Sequence, residues 1–283
     1  MSALTIAAAA RPTVSDYVLG ATPGEHRRLV TQARLVEPYT ERFLRDAGIC
    51  EGSRVLDVGS GMGDVALILA RLVGPGGSVV GIDRDASALA AARSRIAAVG
   101  HRNVDLLETD IADADFAEPF DAIVGRMVLV FQPDPAAVLR GLLRHLRPRG
   151  LVAFQEPCWS IWRPLYRDLP LRAACIELAH EAMLAAGAHA DMEFRLRRDF
   201  MQAGLPPPQM RLEVPFGGKD RACRDLASEM VRTVHPRAVA AGLSTTAIGD
   251  LATLAERLEA ELEAADVFPA WVGLAGAWAR ATS

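Results

Sequence analysis

Short apolar runs recur through the first half of the chain, each ending in an acidic or glycine-rich step and each followed by residues at helical spacing. Residues 55–58, 78–83, 104–108, 120–124 and 151–155 read as strands. Between them, Val65, Ile68, Leu69 and Leu72 share one face of a helix over 65–72, and a second helix is expected over 85–99. Pro133-Asp134-Pro135 opens a third, striped by Val138, Leu139, Leu142, Leu143 and Leu146 and ended by Pro148-Arg149-Gly150. Strands alternating with helices over 50–157 predict a parallel α/β sheet. Beyond 157 the pattern changes. Helices are expected at 169–187 and 192–203, an alternating strand at 210–214, helices at 221–234 and 247–264 separated by His235-Pro236, and a last strand over 270–280.

Composition narrows the class. The chain has 283 residues, 51% hydrophobic and 23% charged, enough for a full core. Its net charge of −4 disfavours a nucleic acid partner. Cys50, Cys158, Cys175 and Cys223 are far apart and form no CxxC pair, so they read as reduced core thiols, with neither a zinc site nor a disulfide framework. The alanine-rich start has no positive charge before its apolar run, as a signal peptide would. No run approaches a membrane span. These features predict a cytoplasmic protein.

The chemistry centres on the 55–64 stretch, where Val58 runs into Gly59-Ser60-Gly61-Met62-Gly63-Asp64. A strand, a glycine turn and a helix start make a cradle for a nucleotide-like cofactor. The dinucleotide fingerprint would place a glycine where Asp64 stands. Asp57, at the strand end, repels a pyrophosphate and suits a ligand with an ammonium group. S-adenosylmethionine (SAM) has that group and no phosphate. Asp83 ends the second strand, 20 residues after Gly63, where an acid binds ribose hydroxyls or merely caps the next helix. Asp85 and Ser87 are cap candidates of their own.

The stretch resembles motif I of the class I SAM-dependent methyltransferases, and the resemblance spans most of the chain. It is similar to the ubiquinone/menaquinone-type and bacterial secondary-metabolite branches. The resemblance implies a doubly wound, seven-stranded, mostly parallel sheet with the last strand antiparallel. It divides the chain into a loose tail (1–13), a helical lid (14–48), a SAM-binding core (49–157) and a C-terminal part (158–283) whose helical insertions (158–205 and 217–265) form an acceptor-binding cap. Asp57 with Gly59, Ser60 and Gly61 would hold the amino-acid end, Asp83 the ribose, and Asp110 and Ile111 the adenine, with Arg84 also at the cofactor. Tyr17 and Gln32 would close over the cofactor from the lid, where the alternative is a helix simply packed on the sheet. Asp110 could equally be a solvated turn residue. Gly125-Arg126-Met127 matches motif IV in position, so Arg126 and Met127 should face the methionine end. That segment lacks the Asn/Asp-Pro-Pro-aromatic motif of amino-group methylases and the aspartate ligand of metal-dependent catechol enzymes, so no metal is expected.

For the acceptor, Trp159, Trp162 and Tyr166 could wall an aromatic or apolar pocket or could pack the cap. His180, His189 and His235 are possible bases, and each could equally be a satisfied core or surface residue. Glu156, at the tip of the fifth strand, could accept a proton as the catalytic residue, or anchor the cap through an arginine. The implied activity is metal-independent, in-line methyl transfer to a small molecule at oxygen, nitrogen or carbon, by a monomer or homodimer. The alternatives are a SAM-binding protein without methyl transfer, a nucleotide-dependent oxidoreductase, and a protein or RNA methyltransferase.

Overall fold

In the computed structural model, which describes residues 23–282, the strands are β1 (Arg54–Val58), β2 (Ser78–Asp83), β3 (Val104–Glu108), β4 (Phe120–Arg126), β5 (Leu146–Cys158), β6 (Gln209–Glu213) and β7 (Gly273–Arg280). They form one sheet in the order β3-β2-β1-β4-β5-β7-β6. β1 to β5 pair in parallel, and β7 runs antiparallel between β5 and β6. β1, β2, β4 and the end of β5 are buried almost throughout, which explains why they read as continuous apolar runs rather than alternations. The strand order reverses between β1 and β4, which opens a crevice at their carboxyl ends.

The helices are α1 (Pro23–Ala47), α2 (Asp64–Val73), α3 (Ala86–Ala98), α4 (Pro135–Leu142), α5 (Trp162–Leu165), α6 (Pro170–Ala185), α7 (Leu196–Ala203), α8 (Arg221–Ala240) and α9 (Leu254–Ala265). α2 buries Val65, Ile68, Leu69 and Leu72, the stripe expected from the sequence. α1 lies across the sheet with Val36, Phe43 and Leu44 buried. Phe43 meets Trp278 of β7 edge to face at 5.6 Å and sits where a Cβ on Gly276 would lie 2.5 Å from its ring. Ion pairs fasten the outer face of α1: Arg71 of α2 to Glu37 (2.7 Å) and Glu41 (3.1 Å), Arg211 of β6 to Asp46 (2.6 Å), and Arg42 to Glu213.

Four expectations about the elements need correction. α8 continues through Pro236 instead of breaking at 235. A proline inside a helix removes one hydrogen bond, but Val231, Val234 and Ala238 on either side of it all face the core and hold the helix together. α9 starts at Leu254 rather than 247, because Asp250 closes a local turn onto the Ala252 N–H (2.9 Å) and Arg257 ties down the Ile248 and Asp250 carbonyls. The segment expected as one helix over 192–203 is a 3-10 turn (Met192–Phe194) followed by α7. Cys50 is exposed, while the other three cysteines are buried and free.

Candidate active site

The turn after β1 needs glycine. Gly59, Gly61 and Gly63 have φ of 65°, 50° and 80°, a left-handed conformation that costs residues with a Cβ. A Cβ on Gly59 would also lie 2.6 Å from Val128 Cγ2. The turn closes on itself through Gly63 N–H to Ser60 O (2.8 Å) and is tied to β2 through Ser60 N–H to Ile82 O (2.9 Å). Asp83 fastens it from the next strand: its Oδ2 accepts from Gly61 N–H (2.8 Å) and its Oδ1 from Asp85 N–H (2.9 Å). The cap of α3 is Asp85, which accepts from Ser87 and Ala88 N–H, so Asp83 is left at the crevice with a free lone pair on each oxygen.

Asp57 is 1% exposed, yet neither of its oxygens has a hydrogen-bond partner among the described residues, and nor does Ser60 Oγ beside it. Burial pushes the Asp57 carboxyl up to about 7, against the opposing pull of the Ser60 hydroxyl and the Arg126 guanidinium.

Arg126, at the end of β4, is itself lowered by burial and supported by Asp64 and Asp57. Its Nη2 stands 3.8 Å from Asp64 Oδ2, and Asp64 also takes Arg95 at 2.6 Å. Its Nη1 donates to Thr40 Oγ1 (3.2 Å), and Thr40 donates to Gln155 Oε1 (2.7 Å). A second tie runs beside it: Arg28 Nη1 donates to Gln32 Oε1 (2.6 Å), and Gln32 Nε2 donates to Met127 Sδ (3.3 Å). Met127 has φ of 57°. Gln32, Arg126 and Met127 therefore meet where α1 crosses the end of β4. Tyr17 lies outside the described residues.

On the other side of the crevice, Asp110 is exposed and its Oδ1 accepts from Ala112 N–H (2.9 Å) in a local turn. Ile111 is half-buried against the core, and Arg84 is exposed at the tip of β2. The structure thus brings Asp57, the glycine turn and Asp83 together, with Arg126 across from them.

Glu156 departs from both of its expected roles. It is 0% exposed; Oε1 accepts from Val128 (3.1 Å) and Leu129 (3.0 Å) N–H, and Oε2 from Val130 N–H (3.1 Å). No arginine pairs with it among these bonds, and no oxygen opens onto a reaction space. It fixes the 3-10 turn (Leu129–Phe131) that follows β4. Trp162 and Tyr166 do what the packing alternative expects. Both are buried and donate to the Ala270 carbonyl, at 3.2 Å and 2.8 Å, so they fasten the segment after β5 to the approach of β7. Trp159 and His180 are buried side by side. His189 lies over the turn after β4, its N–H donating to Val130 O (2.8 Å). His235 is half-buried on α8.

Three residues of this edge escaped the sequence reading: Thr40, Gln155 and Asp64 in its partnership with Arg126. Thr40 and Gln155 each interrupt an otherwise apolar buried pattern, and that polar intrusion was the available signal.

The Asp57 and Ser60 oxygens, without a partner among the described residues, and a left-handed glycine turn, fit a ligand with a cationic amino group and close backbone contact. Comparisons with known proteins give the family and the fold. A family model described as a methyltransferase domain matches residues 49–199. The "Arsenite methyltransferase" of Aquipseudomonas alcaligenes is 37% identical over 116 residues, covering 38% of this chain and 34% of that protein. The "Demethylmenaquinone methyltransferase" of Staphylococcus aureus is 30% identical over 132 residues, covering 45% and 54%. The chain thus spans about a third to a half of these curated relatives. A "SAM dependent methyltransferase from Aquifex aeolicus" shares the fold with a TM-score of 0.50 and 20% identity, covering 68% of this chain and 92% of that one.

Proposed function

Because the chain belongs to the methyltransferase-domain family, we propose that it transfers a methyl group to a small-molecule acceptor. Its methyl donor is S-adenosyl-L-methionine, which supplies a methyl already activated on a sulfonium. What the chain must add is alignment and a water-poor setting.

The observation that carries the reading is the buried, unpartnered Asp57 carboxylate beside the glycine turn. Such a group calls for a partner beyond the described residues, and a bound ligand would supply it. Asp57 would take the ammonium group, Asp83 the ribose hydroxyls, and Asp110 with Ile111 the adenine, while Arg126 and Gln32 close the methionine end. Curated relatives acting on arsenite and demethylmenaquinone support a small acceptor, and the net charge of −4 supports one that is not a nucleic acid. We place the activity in cytoplasmic small-molecule metabolism, secondary metabolites included.

Calorimetry with S-adenosylhomocysteine, the product of the donor, tests this directly. One equivalent should bind the full chain. Asp83→Ala should weaken binding about tenfold, or about 1.4 kcal/mol. Absence of heat with the wild-type chain would overturn the reading.

A further inference from the structure

Beyond the tip of β5, four buried polar atoms have no hydrogen-bond partner among the described residues: Trp159 Nε1, His180 Nε2, Asp191 Oδ1 and Glu193 Oε2. They are neighbours. The rings of Trp159 and His180 stand 5.8 Å apart, and His180 Nε2 lies 3.6 Å from Asp191 Oδ2. Asp191 is bridged to Cys158, the last residue of β5, and Glu193 accepts a hydrogen bond from the Ser160 hydroxyl. Asp191 precedes the 3-10 turn Met192–Phe194, yet its side chain does not cap that turn. His180 is only 6% exposed. Leaving a buried polar group unpaired costs roughly 1–3 kcal/mol, so four in one place call for a partner beyond the described residues.

Their position suits the reaction. β4 ends at Arg126, opposite Gln155, and β5 continues three residues further to Cys158. The cluster therefore lies past the carboxyl edge of the β4–β5 pair, next to the turn that Glu156 fixes and His189 overlies. This is the edge at which α/β sheets hold their ligands.

We propose that Trp159, His180 and Asp191 form the polar end of the acceptor site, and that the acceptor presents a hydroxyl or amino group there. The inference rests on the donor reading of the β1–β4 edge. The 3.6 Å gap between His180 and Asp191 is too long for a direct hydrogen bond. A hydroxyl oxygen about 2.8 Å from each would span it, giving its one hydrogen to the carboxylate and accepting from the imidazole N–H, and an amino nitrogen there would give a hydrogen to each. An acceptor bearing only carbon and hydrogen would leave the cluster as it is.

Asp191→Asn and His180→Phe test this, since the first keeps the shape and the second keeps a ring against Trp159. Without any ligand, their thermal midpoints should equal or exceed that of the wild type, because neither residue serves the fold. A fall of about 5 °C or more in both would mark a structural cluster satisfied by buried water and would overturn the proposal. With radiolabelled SAM and a panel of phenols, catechols and arylamines, both variants should transfer label about 100-fold more slowly, while S-adenosylhomocysteine binds within about twofold of wild type. Wild-type transfer rates in the variants would also overturn it. Failure of S-adenosylhomocysteine to bind the wild type would sink the donor reading instead, and the ligand-free midpoints would still judge the cluster.

Discussion

The ends of β1 and β5 each bury a carboxylate, and the two are opposites. Asp57 and Glu156 are 1% and 0% exposed, and burial pushes each up to about 7. Glu156 accepts from three backbone amides, whereas Asp57 accepts from no backbone or side-chain donor among the described residues. Burial and a displaced pKa therefore do not separate a binding acid from a structural one. The hydrogen-bond inventory does: three amides of the described residues meet Glu156, and none of those residues meets Asp57.

The largest expected effect breaks that comparison if it fails. Glu156→Ala strands the Val128, Leu129 and Val130 amides in the core. At roughly 1–3 kcal/mol for each orphaned donor, stability should fall by about 3 kcal/mol or more. Glu156→Gln should recover part of the loss, because its carbonyl oxygen still accepts while its amide nitrogen faces a donor. Asp57→Asn should leave the thermal midpoint at pH 8 unchanged or raised, since it removes no hydrogen bond and relieves a buried charge. Equal losses in all three variants would erase the distinction.

Next in size is a pH dependence that sharpens the comparison. A carboxyl raised in the folded state binds its proton more tightly there than in the unfolded chain. Both acids therefore stabilise the fold at low pH relative to high, and this contribution fades as pH rises from about 4 through about 7. A ligand that sets an ammonium group against Asp57 selects its ionised form. S-adenosylhomocysteine should bind about tenfold more tightly at pH 8 than at pH 6 and should release a proton at the lower pH. Calorimetry in buffers of different ionisation enthalpy reads that proton. Asp57→Asn should abolish both trends, and Glu156→Gln should leave them in place.

The two ends also differ in how much of them was legible. At β1, the strand, the glycine turn and the acid of β2 lie within thirty residues, and each leaves a local mark: an apolar run, positive-φ glycines, an aspartate at a strand tip. At β5, Glu156 sits at a strand tip in the same way, but its partners are backbone amides 26 to 28 residues earlier, which carry no side-chain signature. Trp162 and Tyr166 had the composition of a pocket wall. Their shared acceptor is the carbonyl of Ala270, more than 100 residues away, and only the folded chain reveals it. The fold was legible because its sheet is built from consecutive strand–helix units. The chemistry past β5 depends on contacts between segments far apart in sequence.

The smallest effect concerns what joins the two ends. Thr40 accepts from Arg126 (3.2 Å), beside the donor edge, and donates to Gln155 (2.7 Å), one residue before Glu156. Valine has nearly the same shape and lacks the hydroxyl, so Thr40→Val removes both bonds without opening a cavity. Two neutral or singly charged buried bonds contribute about 1–2 kcal/mol together, and urea denaturation should show a loss of that size. If Arg126 is set in place by this relay, S-adenosylhomocysteine affinity should also fall, by about two- to fivefold, less than for Asp83→Ala. A stability loss with unchanged affinity would confine the relay to docking α1. An affinity loss exceeding that of Asp83→Ala would move the main grip on the ligand from the β2 tip to the junction of α1, β4 and β5.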